Sequence, residues 1–345
     1  DVTKHAASSN QVNSMCRAFN GNKHIRFYFF NANNYKRNLI KLSIYKGRYL
    51  KFLTPFFFIQ KVISEKIENI YCRESFVALV YLMLGRTVFF ELHELNHTKV
   101  EKVLLKIITR FKKLTFITVS LAAKVDLKKI YSSKVEVLPN GVFIEDYEEL
   151  IKNRVEIKKS LYQEYPNKAN VLYTGSLYKG RDAHLVFTVA QQYENANFIL
   201  VGGSSEQYQK IKSEFLNVNN VYHIPAVAQS LARKYQVSAD FLIYPISVEN
   251  KIAAHTSPLK LFEYMASSTP VIANSVGSVS EILDESNCFL IDDFTDSKQL
   301  IKFILNSPES LQKSKALSAR KYIEGCTWSA RVEKIVSLFA DIKVL

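Results

Sequence analysis

The run from Ser257 to Ala273, SPLKLFEYMASSTPVIA, joins a polar cap, a helix start, a carboxylate and a strand in one unit. Ser257 suits an N-cap and Pro258 the first helical position, which leaves the backbone N–H groups from Leu259 onward aimed at whatever lies before the helix. An anion such as a phosphate is the natural occupant. Six positions beyond the cap, Glu263 stands among Leu261, Phe262, Tyr264 and Met265, where a solvated carboxylate would more usually have polar neighbours. It is expected to accept a hydrogen bond from a sugar hydroxyl. An ordinary capped helix of an α/β core has the same local pattern, so the assignment leans on the rest of the chain.

Two further places carry chemistry. Tyr173-Thr174-Gly175-Ser176-Leu177-Tyr178-Lys179-Gly180 follows an apolar strand pattern and precedes a helical one. Its glycines and lysine therefore fall at the carboxyl end of a parallel strand, where open α/β sheets bind ligands. Phe90-Glu91-Leu92-His93-Glu94 ends another strand. A lone histidine is more often structural, but a strand-end position makes His93 a candidate for catalysis, with Glu94 a weaker one.

The elements that must hold these residues alternate between short apolar runs and amphipathic segments. Ile25–Phe30, Asn69–Cys72, Thr87–Leu92, Leu114–Val119 and Val135–Leu138 read as strands of a first domain. Asn170–Tyr173, Phe198–Val201, Val221–Ile224, Phe241–Tyr244, Pro270–Ala273 and Cys288–Ile291 read as strands of a second. Strands separated by helical patterns predict an α/β class with two Rossmann-like domains, parallel sheets and a ligand cleft. The expected division is residues 1–150, a linker at 151–168 within the charge-rich stretch from Ile144, a second domain at 169–326 and a tail helix at 327–345 that crosses back to the first domain. The opening DVTKHAASSNQVNSMCRAF reads as the loop and helix that follow a first strand, so either a strand lies upstream of Asp1, the preferred expectation, or the sheet is shorter.

The segment from Ser257 to Ala273 resembles the nucleotide-sugar motif of retaining glycosyltransferases of the GT-B fold, the large family four also described as glycosyl transferases group 1. The resemblance implies that the helix start at Ser257, Pro258 and Leu259 meets the donor's phosphates and that Glu263 holds the ribose. It makes Lys179 the residue that neutralises the diphosphate, beside Gly175 and with Gly203 in the turn after the next strand. An arginine common in the family after the first glycine is replaced by Ser176, and Arg181 is the candidate for the second cation. The family's Glu-x7-Glu pair is incomplete: Glu263 fits its second position, but His255 stands eight residues earlier, which leaves the contact to the donor sugar open between His255 and Thr256. His93 is implied to contact the transferred sugar or the acceptor. Pro139-Asn140-Gly141-Val142, Gly202-Gly203, Ala239-Asp240 with Pro245, and Glu281 carry weaker similarity, which spans most of residues 135–285.

The implied reaction is metal-independent transfer of a sugar, with retention, from a nucleoside diphosphate donor, UDP-sugar favoured, to a glycan or glycolipid hydroxyl. No cofactor beyond that donor and no metal site is expected. Residues 1–150 hold 24 Lys and Arg against 13 Asp and Glu, and the remainder 22 against 19, so the basic excess lies in the first half. Basic residues interleave with apolar ones at Lys46–Lys61 and Lys99–Lys113, a pattern suited to an anionic inner-membrane surface. Nucleic acid is ranked low, because no helix-turn-helix, zinc-knuckle or RNP-type signature accompanies the charge. No apolar run reaches the ~18 residues of a membrane span, and the sequence predicts a cytoplasmic enzyme, peripheral on the membrane, that serves lipopolysaccharide or other cell-surface polysaccharide assembly. The rival readings are a sugar-nucleotide 2-epimerase of the same fold and a degenerate GT-B subunit that binds a membrane or a partner. Cys16, Cys72, Cys288 and Cys326 are widely spaced and read as reduced.

Overall fold

The computed structural model of the chain describes residues 6–21, 54–92, 98–165, 167–178, 180–250 and 253–341. The expected strand at Ile25–Phe30, and His93, Glu94 and Lys179, lie outside the described residues. Two compact units form: Val12–Pro139 with Val332–Leu345, and Asp1–Gln11 with Asn140–Arg331.

The chain enters through α1 (Ala6–Gly21), within which the unit boundary falls. The first unit continues with α2 (Thr54–Ser64), β1 (Asn69–Cys72), α3 (Ser75–Met83), β2 (Thr87–Glu91), α4 (Lys99–Ile108), β3 (Leu114–Thr118), α5 (Leu121–Ile130) and β4 (Lys134–Val137). The four strands are parallel in the order β1-β2-β3-β4. β2 and β3 are buried along their whole length, as central parallel strands covered on both faces must be. α4 begins in a capping box: the Thr98 hydroxyl accepts from the Glu101 N–H at 3.3 Å, and the Glu101 carboxylate accepts from the Thr98 N–H at 3.0 Å. Leu105 and Ile108 of this helix join Val62, Phe90, Phe116 and Leu127 in the core, while Val100, Val103 and Ile107 stay exposed.

The second unit runs α6 (Glu145–Lys152), α7 (Arg154–Tyr162), β5 (Ala169–Thr174), α8 (His184–Gln192), β6 (Ala196–Val201), α9 (Ser205–Lys212), β7 (Val221–Ile224), α10 (Gln229–Ser238), β8 (Phe241–Tyr244), α11 (Leu259–Ala266), β9 (Val271–Ala273), β10 (Phe289–Leu290), α12 (Lys298–Leu305) and α13 (Glu309–Glu324), and the unit boundary falls within the last helix, α14 (Trp328–Asp341). Its parallel sheet has the order β10-β9-β8-β5-β6-β7. β5 is central and apolar, and the chain leaves it first to one side and then, after α10, to the other.

Three expectations are corrected here. Residues 151–168 do not form a bare linker, because α7 packs into the second unit: the Tyr162 hydroxyl donates to the Tyr235 carbonyl at 3.0 Å, and Arg154 donates to the carbonyls of Ser267 and Ser268 at 2.8 and 2.7 Å. That guanidinium closes the C-terminal end of α11, where the orphan carbonyls of a helix favour a cation. The first unit ends at Pro139 rather than at 150, since Asn140 is already fastened to Ser257. The tail is likewise one helix, α14, but only its residues from Val332 group with the first unit, where Phe339 meets Phe89 of β2 edge-on at 4.6 Å between ring centroids.

Candidate functional site

β5 and β8 are neighbours, yet the chain between them passes through β6 and β7 on the far side of β5. This is a topological switch point, and the crevice beyond the carboxyl ends of two such strands is where open α/β sheets take ligands. The loop after β5 and the loop after β8 are tied together there by Asp182, whose buried carboxylate accepts from the Ser247 N–H at 3.0 Å and the Asn250 amide at 2.9 Å. Asp182 holds a φ of +54°, a conformation of the kind retained where tertiary contacts over-determine it. The Tyr173 hydroxyl pins the same loop from inside through the carbonyls of Ser176 and Arg181, at 3.2 and 3.1 Å.

Two glycines let backbones meet at this edge. Gly175 follows β5 with φ +139°, and its N–H donates to the Val201 carbonyl of β6 at 2.8 Å. Gly202 follows β6 with φ +128°, and a Cβ built on it would stand 2.2 Å from the Gly175 carbonyl oxygen. A Cβ on Gly175 would in turn meet Cε and Nζ of Lys260, both at 2.8 Å. The hollow over Gly175 is therefore filled by a lysine from the first turn of α11.

α11 starts one residue later than expected. Pro258, with φ −76° and ψ 105°, occupies the N-cap position and gives no side-chain cap. The Ser257 hydroxyl is engaged elsewhere: it accepts from the Asn140 N–H at 2.9 Å while the Ser257 carbonyl accepts from the Asn140 amide at 2.6 Å. Ser257 thus anchors the segment before the helix rather than capping it. The Pro258 carbonyl takes the N–H groups of Leu261 and Phe262, so those of Leu259 and Lys260 have no partner among the described residues.

Glu263 lies one turn further along α11. Its carboxylate accepts from Gln229 Nε2 at 2.9 Å and from Gln236 Nε2 at 3.4 Å, both on α10. Gln236 is itself fixed, accepting from the Tyr147 hydroxyl at 3.0 Å and donating to the Thr174 hydroxyl at 3.1 Å. Burial pushes the Glu263 carboxyl above its ordinary range, and the two amides, Arg233 and Lys260 pull it back. A partly buried carboxylate oriented by two carboxamides is built to receive hydroxyl donors.

The remaining expected residues fall around this centre. Ser176 is partly buried beside Gly175, while Arg181 is exposed, its Nε donating to the Tyr178 hydroxyl at 2.6 Å. Gly203 has φ +67° and sits where a Cβ would reach Leu177 at 2.6 Å, so its place is taken up by packing within the turn. His255 ends a short 3-10 turn, Ala253–His255, and Thr256 follows with its carbonyl held by the Ser278 hydroxyl. Gly175, Ser176, Arg181, Leu259 and Glu263 lie about the carboxyl ends of β5 and β8, joined by three residues the sequence did not single out: Lys260, Gln236 and Asp182. Lys260 was hidden because a lysine in a first helical turn reads as solvated. The available signal was its fall in the same run as Glu263, opposite a strand-end glycine.

Residues 168–307 match the sequence model of the glycosyl transferases group 1. This domain belongs to that family. The solved structures similar to the chain include sucrose-phosphate synthase from Thermosynechococcus elongatus, at 17% identity and TM-score 0.69 over 87% of this chain and 81% of that one. A glycosyltransferase from Rickettsia africae ESF-5 is similar at 17% identity and TM-score 0.68 over 88% and 84%. HepE from Anabaena, crystallised with UDP and glucose, is similar at 16% identity and TM-score 0.63 over 84% and 83%. No curated protein matches the chain by sequence. The fold is thus GT-B, and the family match over residues 168–307 marks that part of the second unit as a glycosyltransferase domain.

Proposed function

We propose that this glycosyltransferase moves a sugar from a UDP-sugar to a hydroxyl of a glycan or glycolipid, with retention and without a metal. The observation that carries this reading is the pairing, on one eight-residue helix, of two free N–H groups at the start of α11 with Glu263 one turn on, oriented by Gln229 and Gln236. The N–H groups and helix dipole suit the diphosphate, whose charge grows as it leaves, and Glu263 suits the ribose hydroxyls. HepE, of the same fold, was crystallised with UDP-glucose, which favours uridine.

An acceptor anchored at an anionic membrane surface, as in cell-surface polysaccharide assembly, is favoured by α4. Its exposed Val100, Val103 and Ile107 alternate with exposed Lys99, Lys102, Lys106 and Arg110. Among the described residues no helix is long and apolar enough to cross a membrane.

Calorimetric titration of UDP, GDP, CDP and ADP tests the donor site. One nucleotide, UDP, is expected to bind, and Glu263→Gln to weaken it about 10-fold or more, as loss of a charged hydrogen-bond acceptor does. Equal binding by Glu263→Gln would remove the carboxylate from the site.

A further inference from the structure

The lysine over Gly175 is the most unusual group at the switch point. Lys260 Nζ lies 3.6 Å from the centre of the Tyr173 ring and 5.7 Å from that of Tyr244, so aromatic faces from β5 and β8 form its floor. The side chain is partly buried, and among the described residues it makes neither an ion pair nor a hydrogen bond. The charged and titratable groups facing it are Arg181 and Asp182 from the loop after β5, Glu263 from its own helix, and the phenols of Tyr173 and Tyr244 from beneath. Asp182 is committed to Ser247 and Asn250, and Glu263 to Gln229 and Gln236, so neither carboxylate closes on the ammonium. Nζ therefore has donors to spare beside the unpartnered N–H groups of Leu259 and Lys260.

Such an arrangement is poor as a resting salt bridge and good as an anion receptor. Burial and the neighbouring Arg181 lower the ammonium's pKa from 10.5 to about 7, against the weaker opposing pull of Glu263 and Asp182. A dianion placed against Nζ and the two N–H groups would reverse that penalty, because an opposite charge within a few ångströms favours the charged form.

We propose that Lys260 is a cation of the donor site that grips the diphosphate of the nucleotide sugar and takes up a proton as that anion arrives. The inference rests on the donor-site reading above. It makes donor binding a proton-linked event: at neutral pH and above, part of the free protein carries a neutral amine that the bound state holds as ammonium. Affinity for the diphosphate therefore falls as pH rises from about 7, by up to about tenfold per unit, until the pKa of the bound lysine is passed. In the transfer step the ammonium offsets negative charge gathering on the leaving diphosphate.

The test is calorimetric titration of UDP into the full chain near pH 8, where the diphosphate is fully ionised, in two buffers of different ionisation enthalpy. The wild-type chain is expected to take up about one proton per UDP bound. Lys260→Arg, whose guanidinium is always charged, should bind with no uptake, and Lys260→Met should bind about 10- to 100-fold more weakly with no uptake. Unchanged affinity and uptake in Lys260→Met, alongside weakened binding in Glu263→Gln, would overturn this inference and leave the donor site standing. Failure of the wild-type chain to bind any of UDP, GDP, CDP or ADP would overturn both.

Discussion

The two sheets of this chain use the same parallel grammar and put it to different ends. Within the described residues the first runs β1-β2-β3-β4 in chain order, so each new strand is added at the same edge and no crevice opens between strands laid down in opposite directions. The second begins at β5, grows outward to β7, then returns to add β8 beside its starting point. The loops after β5 and β8 flank that point, joined through Asp182, and Gly175, Lys260 and Glu263 gather beside them. Among the described residues of the first unit, the corresponding surface feature is the alternation of exposed apolar and basic residues along α4. Sheet order, more than strand composition, decides which end of an α/β unit can hold a small ligand.

The largest effect should come from closing the gap itself. Gly202→Ala would drive a Cβ into the Gly175 carbonyl at 2.2 Å, on a backbone whose φ of +128° already resists a side chain. Since both partners are main chain, the β5 and β6 ends must separate, at a cost of about 3 to 5 kcal/mol. A thermal melt checks this, and a variant within 1 °C of wild type would show that the two strand ends are not tightly coupled. Gly85 is the internal contrast in the first unit: its φ is +72°, but a Cβ there meets nothing within 4 Å, so only the backbone strain of about 1 kcal/mol is expected from Gly85→Ala.

The next effect isolates the first unit. Lys102→Gln with Lys106→Gln removes two exposed charges from α4, and each is worth about 1 kcal/mol at an anionic surface. Co-sedimentation with phosphatidylglycerol vesicles should fall about 10-fold or more, while UDP binding and the melting temperature stay as they are. Equal sedimentation of variant and wild type would detach α4 from any membrane role.

How far the sequence anticipates this division follows from where each signal resides. Strands such as Asn69–Cys72, Val221–Ile224 and Phe241–Tyr244 lie at the expected residues, because apolar and β-branched runs between turns are local signals. Helix α11 and the burial around Glu263 are legible for the same reason. The Ser257 cap is not, because the residue that takes its hydroxyl, Asn140, lies 117 positions away. α6 and α7 look like a charged linker because their buried side chains are Tyr147 and Tyr162, whose hydroxyls reach Gln236 and Tyr235 on α10, while Leu150, Ile151, Ile157 and Leu161 meet the core only in part and stand among charged residues. Lys260 is the hardest case, since its setting is made by β5 and β8, which only the folded sheet brings beneath it.

A further small effect is also the sharpest, because its sign runs against intuition. A buried lysine whose pKa is lowered to about 7 costs folding energy wherever the unfolded chain would be charged. Between about 7 and 10.5 the unfolded state holds a proton that the native state lacks, so this group makes stability rise with pH across that window, and below about 7 its full cost is present. Lys260→Met removes the cost and also the cation–π contact with Tyr173, worth about 0.5–1 kcal/mol. Because water reaches part of the side chain, the net gain should be only about 1 to 2 kcal/mol. The variant should therefore melt a few degrees above wild type at pH 7 and lose that advantage by about pH 10, while binding UDP more weakly. A pH-independent loss of stability would mean that Lys260 is held by its packing alone. The expected result would identify a group whose cost in the free protein is offset only by the diphosphate, as a ligand-binding cation at the switch point should be.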